Sequence, residues 1–576
     1  MTEDNETKAT QGLGMSRRGF LMGGTAAAAL AAAGLAGCTP QGGDSGSDAS
    51  AADGEDAETT SSWLGEAPGI TDDDCVDTLE CEVLVVGAGH AGYFAATAAA
   101  EEGAQVMLIE QASDRGFSIR GDLGAVGSTM QAEQGVEIDK MDIVNDLVAQ
   151  SSNYADASLW KVWADNSGEM IDWYADFVAE YSPEDYFYYE WNMPTEETRG
   201  KNWPTSHGTS WKYRYVNDIE DQIDLHMNDY IEGFEGCSVV YGTAMAELIK
   251  EDDRVVGVYA SQDDGYVRIN ASKGVVVATG GYAANQEMVE ALQPHANGLT
   301  GLSIDPSAMG DGIKACIWAG AKFEEDHTAL VFDRGVIPPD EEVQGAWAGS
   351  GYYWHFSSQP WLKVNQYGER FCNEGGNYDY VFHAAQRFEN RAWYPVWDSN
   401  WREDVERFHT TGCSGIFDWD GANGDGGTGT DDEWTEIEAM IEAGTVIESD
   451  TLEGLAEGLG IDPDTFVATC ERYNELYDAQ NDEDFGKDAF RLSQMANPPY
   501  YGAKMGGLLL CTLDGIKVNE EAQALDENDN VIEGLYVIGN DMGGFFHGTY
   551  PNLAVGVAAG RSATYGRMVG KALAQA

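Results

Sequence analysis

The stretch Cys81–Gln111, CEVLVVGAGHAGYFAATAAAEEGAQVMLIEQ, constrains the fold of this chain more than any other. The apolar run EVLVV is typical of a buried parallel strand. Gly87, Gly89 and Gly92 follow it in G-x-G-x-x-G spacing and open an alanine-rich helix. A second apolar run, VMLI, then predicts the neighbouring strand. This order predicts an α/β fold with a Rossmann-like parallel sheet.

The same stretch predicts a dinucleotide site. Gly87 allows a tight turn, Gly89 lets a pyrophosphate approach the backbone, and Gly92 lets the helix pack on the strand. The first turn of the helix would present its amides to the phosphates. Glu110 ends the second strand, where a carboxylate accepts hydrogen bonds from ribose hydroxyls. The motif alone does not distinguish NAD from FAD.

Length and charge limit the function classes. The chain has 576 residues, enough for two or three domains, and a formal net charge of −67. So large a negative charge argues against nucleic acid or an anionic membrane surface as a partner. The nine cysteines contain no C-x-x-C pair, so signatures for a metal site, an iron–sulfur cluster or c-type haem are lacking.

The N-terminus predicts an export signal. Arg17 and Arg18, in SRRGFLM, precede a weakly apolar run, as in twin-arginine signals. LAGC, ending at Cys38, resembles a lipobox, whose cysteine is acylated after cleavage. We therefore expect residues 1–38 to be a signal and residues 39–77 a disordered tether. The protein is then expected in the cell envelope, with membrane contact only through a lipid on Cys38.

Later motifs resemble the FAD-binding subunit family of fumarate reductase and succinate dehydrogenase, which includes urocanate reductases and 3-ketosteroid dehydrogenases. The resemblance covers most of residues 78–576. It rests on GAGHAG with its acid, ATGG, GDG at 310–312, GERFCNE at 368–374, MGG at 505–507 and GLYVIGN…HGTYPNLAVGVAAGRSATYGR. It implies FAD as the cofactor.

The resemblance also implies a domain order. An FAD-binding domain would occupy residues 78–326 and 502–576, and an inserted α+β capping domain would occupy residues 327–501. The substrate would bind against this cap.

Contacts to FAD follow from the matched motifs. The residues implied are Gly87, Gly89, Ala91 and Gly92 at the pyrophosphate, Glu110 at the ribose, Ala244 at the adenine, Asp311 and Asn540 on the flavin side, and Gly556 and Val557 at the start of the last helix. The positive end of that helix would stabilise the reduced anionic flavin. The family often carries GGNS after the ribose acid; here Ser118 and Ile119 replace the Asn-Ser pair.

Three positions that handle carboxylates in fumarate reductases carry other residues here. Tyr378 occupies the position of the proton-donating arginine, Ala503 that of a histidine, and Pro551 that of a second arginine. Unpaired carboxylates are costly to desolvate. The substitutions therefore argue against a small dicarboxylate such as fumarate.

The replacements are typical of a ketone or enone site. Tyr550, in TYP, matches a tyrosine that polarises the ketone in 3-ketosteroid dehydrogenases, and the N–H of Ala554 would share that task. Tyr378 would donate the proton, since a phenol with an ordinary pKa of about 10 can protonate a developing enolate. Lys504 and His547 are further catalytic candidates.

These residues predict an FAD-dependent ene-reductase that reduces a C=C bond conjugated to a carbonyl, in a neutral or singly charged aromatic or steroid-like substrate. Export suggests a role in anaerobic respiration. Electrons would come from a separate protein that carries haem or flavin or is linked to quinol. The alternatives are a 3-ketosteroid-type dehydrogenase running in reverse, a reductase for a small unsaturated acid, a non-catalytic flavin electron carrier and a ligand-binding lipoprotein.

Overall fold

The computed structural model describes residues 63–114, 122–181, 187–189, 203–209, 223–408, 416 and 429–576. The predicted signal, most of the tether, Cys38 and Ser118 lie outside these ranges. No helix within them is both long and apolar enough to cross a membrane.

Runs of strands and runs of helices follow one another along the described chain. The strands are β1 (Cys75–Val86), β2 (Val106–Ile109), β3 (Asp122–Gly124), β4 (Phe187–Tyr189), β5 (Ser206–Thr209), β6 (Ser238–Val240), β7 (Ala244–Glu251), β8 (Arg254–Gln262), β9 (Gly265–Val277), β10 (Leu299–Leu302), β11 (Ala329–Ile337), β12 (Tyr352–Tyr353), β13 (Leu362–Val364), β14 (Tyr394–Asp398), β15 (Val446–Ser449), β16 (Tyr500–Thr512), β17 (Gln523–Leu525) and β18 (Val531–Val537). The helices are α1 (His90–Glu101), α2 (Thr129–Glu133), α3 (Lys140–Gln150), α4 (Ala157–Tyr181), α5 (Ile223–Glu232), α6 (Gln286–Leu292), α7 (Asp311–Trp318), α8 (Tyr378–Ala385), α9 (Trp401–Phe408), α10 (Thr430–Ala443), α11 (Leu452–Leu459), α12 (Pro463–Ala479) and α13 (Val557–Gln575).

The first sheet has a parallel centre. Its strands lie in the order β17-β18-β8-β9-β1-β2-β6, with β7 paired to β8. The pairs β1–β2, β1–β9, β9–β18 and β2–β6 are parallel. In β1 the last four residues are all buried, as expected for a parallel strand that is covered on both faces. This part of the sequence prediction is confirmed.

The first and last helices of the described fold, α1 and α13, pack directly on each other because small residues line their contact. A Cβ atom on Gly566 would lie 2.6 Å from the Ala91 carbonyl oxygen, and one on Gly570 would lie 2.2 Å from that of Ala95. Such close approach needs glycine on one helix and alanine on the other. The alanine run of α1 is thereby buried along almost its whole length.

A second sheet is built mainly from residues 299–512. Its order is β12-β11-β16-β14-β13, and β10 and β15 also pair with the long strand β16. Only the β10–β16 pair of this sheet is parallel. A three-stranded sheet, β3-β5-β4, completes the described strands. The predicted fold class, a Rossmann-like parallel sheet within a mixed α/β chain, is confirmed; the domain boundaries stay predictions.

Candidate functional site

The glycine turn leaves an open face next to a crowded one. Gly87 has a φ of +102°, and a Cβ atom there would lie 2.4 Å from the Ala278 carbonyl oxygen. A Cβ on Gly92 would lie 1.9 Å from the Gly87 carbonyl oxygen. At Gly89, by contrast, a Cβ would meet nothing within 4 Å. Gly87 and Gly92 therefore serve the fold, whereas Gly89 leaves backbone accessible to a ligand.

Glu110 closes the turn from the neighbouring strand. Its carboxylate accepts a hydrogen bond from the Ala88 N–H at 2.8 Å and another from the Ala112 N–H at 3.0 Å. A carboxylate oxygen can accept more than one hydrogen bond. The two amides therefore fix the orientation of Glu110 and leave capacity for the ribose hydroxyls that the sequence predicts.

A buried carboxylate that sequence reasoning missed organises the ATGG loop after β9. Asp541 accepts hydrogen bonds from the Thr279 hydroxyl at 2.9 Å, the Gly280 N–H at 3.2 Å and the Gly281 N–H at 2.9 Å, and also from the Thr279 N–H. Its side chain is fully buried, and this burial raises the pKa of Asp541 despite those bonds. The loop and the turn after β18 are thereby held as one unit.

The predicted flavin-side residue Asn540 lies in this unit. Its side-chain oxygen accepts a hydrogen bond from Arg561 on α13 at 3.1 Å. Arg561 is buried and its guanidinium lies 5.0 Å from the ring centre of Phe546, and burial lowers its pKa to about 10. Arg561 therefore fixes the amide of Asn540. No local motif marks this arginine in the sequence, since its partners lie on other elements.

The other predicted cofactor residues begin helices or strands near this unit. Ala91 is buried in the first turn of α1, Asp311 is the first residue of α7, and Ala244 is the first residue of β7. The residue before β7, Thr243, donates its backbone N–H to the Glu110 carbonyl oxygen at 2.8 Å. Their contacts to FAD stay predictions.

The start of α13 packs closely against the backbone of β3. Gly556 caps the helix with a φ of +76°, and its carbonyl oxygen accepts a hydrogen bond from the Gly124 N–H at 2.7 Å. A Cβ on Gly556 would lie 2.6 Å from the Gly124 nitrogen. Val557 then begins the helix and is fully buried.

These features fit FAD. Gly89 provides an open backbone surface, the N-terminus of α1 faces the turn, and Glu110 is oriented from the adjacent strand. The first half of α13 is joined to the same unit by the hydrogen bond from Arg561 to Asn540. Two helix N-termini favour negative charge, as a pyrophosphate and a reduced flavin require.

The first predicted catalytic residue, Tyr378, is buried beside an arginine. It begins α8, and its ring meets the Phe332 ring edge-on at 5.2 Å between centres. The guanidinium of Arg334, from β11, lies 4.7 Å from the centre of the Tyr378 ring. Sequence reasoning missed Arg334, because nothing in β11 indicates which side of the strand faces α8.

Asp379 links the two predicted catalytic tyrosines. It follows Tyr378 in the first turn of α8 and is fully buried. Its carboxylate accepts a hydrogen bond from the Thr549 hydroxyl at 3.0 Å and from the Tyr550 N–H at 3.3 Å. Burial raises the pKa of Asp379 to about 7, and both hydrogen bonds oppose that rise. The segment that carries Tyr550 is thus fastened to the helix that begins with Tyr378.

Tyr550 reaches the helix assigned to the flavin. Its phenol oxygen accepts a hydrogen bond from the Ala558 N–H in the first turn of α13, at 3.4 Å. The N–H of Ala554, predicted to help polarise a ketone, donates to the Pro551 carbonyl at 3.1 Å. The structure therefore joins the first turn of α8, which carries Tyr378, to the segment of Tyr550, and joins Tyr550 to the start of α13. Ala554 is engaged within its own turn.

The other two catalytic candidates have different surroundings. His547 is half-buried and stacks on the exposed ring of Tyr154 at 4.7 Å between centres. The ammonium of Lys504 donates to the carbonyl oxygens of Pro339 at 3.2 Å and Glu341 at 2.5 Å, and burial lowers its pKa. Their catalytic roles stay predictions.

A polar cleft adjoins Tyr378. It is small, with about 10 Å³ of free volume, the space of about one water molecule. Its lining is Asp333, Ser358, Pro360, Glu374, Gly375, Gly376, Tyr378, Val381 and Arg491. Tyr378 thus borders a small polar space while remaining buried.

Comparison with known proteins identifies the family. The profile of the FAD binding domain family matches residues 82–557. The chain belongs to the FAD binding domain family. FAD as the cofactor is thereby confirmed.

Two relatives cover most of the chain. The vinyl phenol reductase of Lactiplantibacillus plantarum is 26% identical over 86% of this chain and 96% of its own. The cytochrome-type fumarate reductase of Shewanella frigidimarina is 26% identical over 86% of this chain and 77% of its own. With the family, they show that this chain is an FAD-dependent oxidoreductase acting on CH–CH bonds, of the fumarate reductase and ene-reductase type.

The fold is also similar to a solved structure, the 3-ketosteroid Δ4-(5α)-dehydrogenase of Rhodococcus jostii with 4-androstene-3,17-dione. The TM-score is 0.63 at 19% identity, over 88% of this chain and 99% of that one. This likeness supports the fold, and the resemblance stated from the sequence is confirmed.

Proposed function

We propose that this protein is an ene-reductase that reduces a C=C bond conjugated to a carbonyl or a phenol ring, in a flat, neutral or singly charged substrate. The observation that carries the proposal is that Asp379, the neighbour of Tyr378, holds the Thr549–Tyr550 segment through two hydrogen bonds. Tyr378 matches the proton-donating arginine of fumarate reductases, and Tyr550 precedes Pro551, which matches a carboxylate-binding arginine. The vinyl phenol reductase is a relative whose name denotes a substrate of this kind.

The roles of the two tyrosines follow from their surroundings. Tyr550 would donate a hydrogen bond to the carbonyl or phenol oxygen, because its own oxygen is already held by an amide of α13. Tyr378 would deliver the proton to the carbon next to the activating group. When bound, FAD supplies the hydride for the other carbon. Both tyrosines are buried, which limits the access of water to the reacting pair.

An anaerobic assay tests the proposal. The purified protein loaded with FAD is mixed with reduced viologen and a panel of enones, cinnamate-type acids, vinyl phenols, steroid enones, acrylate and fumarate. We expect turnover of conjugated aromatic or steroid-like compounds. Tyr378→Phe and Tyr550→Phe should each lower kcat by about 100-fold or more, the size of general acid catalysis.

Tyr154→Phe is the matched control, because Tyr154 is an exposed tyrosine outside the proposed pair and should change kcat little. Turnover of fumarate alone would reject the substrate class. Faster oxidation of a saturated ketone with an artificial acceptor than reduction of any enone would favour the dehydrogenase direction. Full activity of both phenylalanine variants would reject the tyrosine roles.

We further propose that the protein is exported and lipid-anchored. Arg17, Arg18 and Cys38 support this, since they stand in the order of a twin-arginine signal followed by a lipobox. Replacing both arginines by lysine should retain the precursor inside the cell, as measured by fractionation. Cys38→Ser should abolish incorporation of labelled fatty acid without lowering FAD content.

A separate electron donor completes the proposal, a protein that carries haem or flavin or is linked to quinol. The scattered cysteines, which lack a C-x-x-C pair, support it. Membranes from the source cells should reduce the bound FAD anaerobically when given a quinol-linked substrate, and washed, protein-depleted vesicles should not.

A further inference from the structure

Arg334 lies beside Tyr378 but has no role in the function proposed above. It lies on β11 and is fully buried. Its guanidinium carbon lies 4.4 Å from the ring centre of Phe332, 4.7 Å from that of Tyr378 and 5.2 Å from that of Tyr353. A cation against aromatic faces at these distances is attracted by the rings, more strongly when water is excluded.

Two hydrogen bonds fix the guanidinium in this place. Its Nε donates to the Ser358 hydroxyl at 2.8 Å, and one Nη donates to the Tyr353 phenol. Ser358 in turn donates to the Asp333 carboxylate at 2.5 Å. A planar guanidinium held by directed bonds keeps one orientation, which a lysine ammonium would not.

We propose that Arg334 is a positioning residue for Tyr378: it holds the phenol ring in one orientation and stabilises the negative charge left on its oxygen when Tyr378 gives up its proton. The inference rests on the proposed function, since it assigns Tyr378 the proton. A fixed positive charge near a developing anion in a buried site is worth more than the same charge in water.

Other charged groups act on Tyr378 too. Asp379 adjoins it on α8, Asp333 lies behind Ser358, and Glu374 and Arg491 line the same cleft. The negative charges among these groups oppose ionisation of the phenol, and Arg491 favours it. Because these groups are the same in wild type and in an Arg334 variant, the comparison between the two isolates the arginine.

The first test needs no substrate. The ultraviolet difference titration of the FAD-loaded wild type minus Tyr378→Phe gives the ionisation of this one phenol. The same difference is measured in an Arg334→Gln background. We expect Tyr378 to ionise at higher pH without the arginine, and an unchanged titration would overturn the proposal. This readout is independent of which substrate, if any, the enzyme reduces.

A double-mutant cycle on the best substrate of the panel is the second test. Arg334→Gln should lower kcat more than it raises KM, and the double variant Arg334→Gln/Tyr378→Phe should be no slower than Tyr378→Phe alone. Arg334→Lys should restore charge but not the fixed orientation, and so recover only part of kcat. Effects that multiply in the double variant would overturn the proposal.

Two further variants guard against a simple folding defect. Ser358→Ala removes the acceptor of Nε while keeping the arginine, and should give a smaller loss of kcat than Arg334→Gln. Arg407→Gln is the matched control: Arg407 lies 5.7 Å from the Phe408 ring on α9, away from both tyrosines in sequence and element, and should leave kcat unchanged. A loss of kcat with Arg407→Gln equal to that with Arg334→Gln would count against a role specific to Tyr378.

Discussion

Asp379 shows how one buried side chain decides the behaviour of a site. It is fully buried, yet it holds the segment with Thr549 and Tyr550 through two hydrogen bonds. Burial disfavours the charged form, and for this reason the pKa of Asp379 rises from 3.8 to about 7. The site thus contains a carboxyl that titrates near neutral pH.

This rise has a consequence for stability. A carboxyl that binds its proton more tightly when folded contributes stability below its unfolded pKa and loses it as the pH rises through the folded pKa. The wild type should therefore lose stability between about pH 4 and pH 7, by at most about 4 kcal/mol from this group. Asp379→Asn should lack this pH-dependent loss of stability, because an amide stays neutral. The amide can still accept from the Tyr550 N–H and donate to Thr549. Urea midpoints across this range measure the difference.

Asp462→Asn is the control for that experiment. Asp462 caps the exposed start of α12 and accepts from Thr465, and these bonds lower its pKa. Asp462→Asn should therefore change the pH dependence of stability in the direction opposite to that of Asp379→Asn, and by a smaller amount. Identical pH dependence of the wild type and Asp379→Asn would show that Asp379 ionises normally in the folded protein.

At the scale of elements, the glycine turn separates folding from binding. Gly89→Ala adds a methyl group into open space, whereas Gly92→Ala drives one into the Gly87 carbonyl. We expect Gly92→Ala to destabilise the fold by about 1–3 kcal/mol through overpacking. Gly89→Ala should change stability less but weaken FAD binding on the order of tenfold or more, about 1.4 kcal/mol. Denaturation and flavin absorbance measure the two effects.

The comparison of Gly89→Ala with Gly92→Ala tests whether the open face of the turn binds FAD. If Gly89→Ala retained full FAD content and affinity, the open face of the turn would not be the pyrophosphate site. If both variants lost stability equally, the difference between crowded and open positions would not hold.

The loop after β9 depends on one carboxylate from another element. Asp541→Asn would turn an NH₂ group toward backbone donors such as the Gly281 N–H, which now bonds an oxygen at 2.9 Å. Leaving buried donors unpaired should cost about 1–3 kcal/mol, as measured by chemical denaturation. Glu533→Gln is the matched control: Glu533 is exposed and its nearest Arg254 nitrogen is 3.6 Å away, so this variant should stay close to the wild type. An equal effect of both variants would contradict the role of Asp541.

The sequence predicted the elements better than the contacts between them. The order of strand, glycine turn, helix and acid is local, and the parallel sheet and a dinucleotide site followed from it. FAD followed from the resemblance of the later motifs. Asp541, Arg561 and Arg334 were missed because their partners lie on distant parts of the chain. Lys504 was singled out by its position in the motif, which could not show that the fold brings carbonyl oxygens to its ammonium; its catalytic role stays a prediction.

For the whole molecule, charge is the dominant property. The chain has 99 acidic and 32 basic residues, and a net charge of −67 must repel itself in a folded protein. Raising sodium chloride from about 10 mM to about 1 M shortens the Debye length from about 30 Å to about 3 Å. Thermal unfolding at pH 7 should therefore move to higher temperature with salt.

The same titration at pH 4 is the control, because many carboxylates are then protonated and the repulsion is weaker. A salt effect of equal size at both pH values would mean that ion-specific effects dominate instead. The same field should speed association with a basic electron donor at low salt and slow it at high salt, which stopped-flow flavin reduction measures.

The packing of α1 against α13 places a condition on biosynthesis. The glycine turn lies near the start of the described fold, yet α13, which covers the alanine face of α1, is synthesised only after residue 556. A nascent chain that has not reached Gly570 exposes that apolar face to water and lacks the helix end assigned to the flavin. Cofactor loading is therefore expected only after α13 has been synthesised, and deletion of residues 557–576 should yield a colourless, insoluble protein rather than a weakened enzyme.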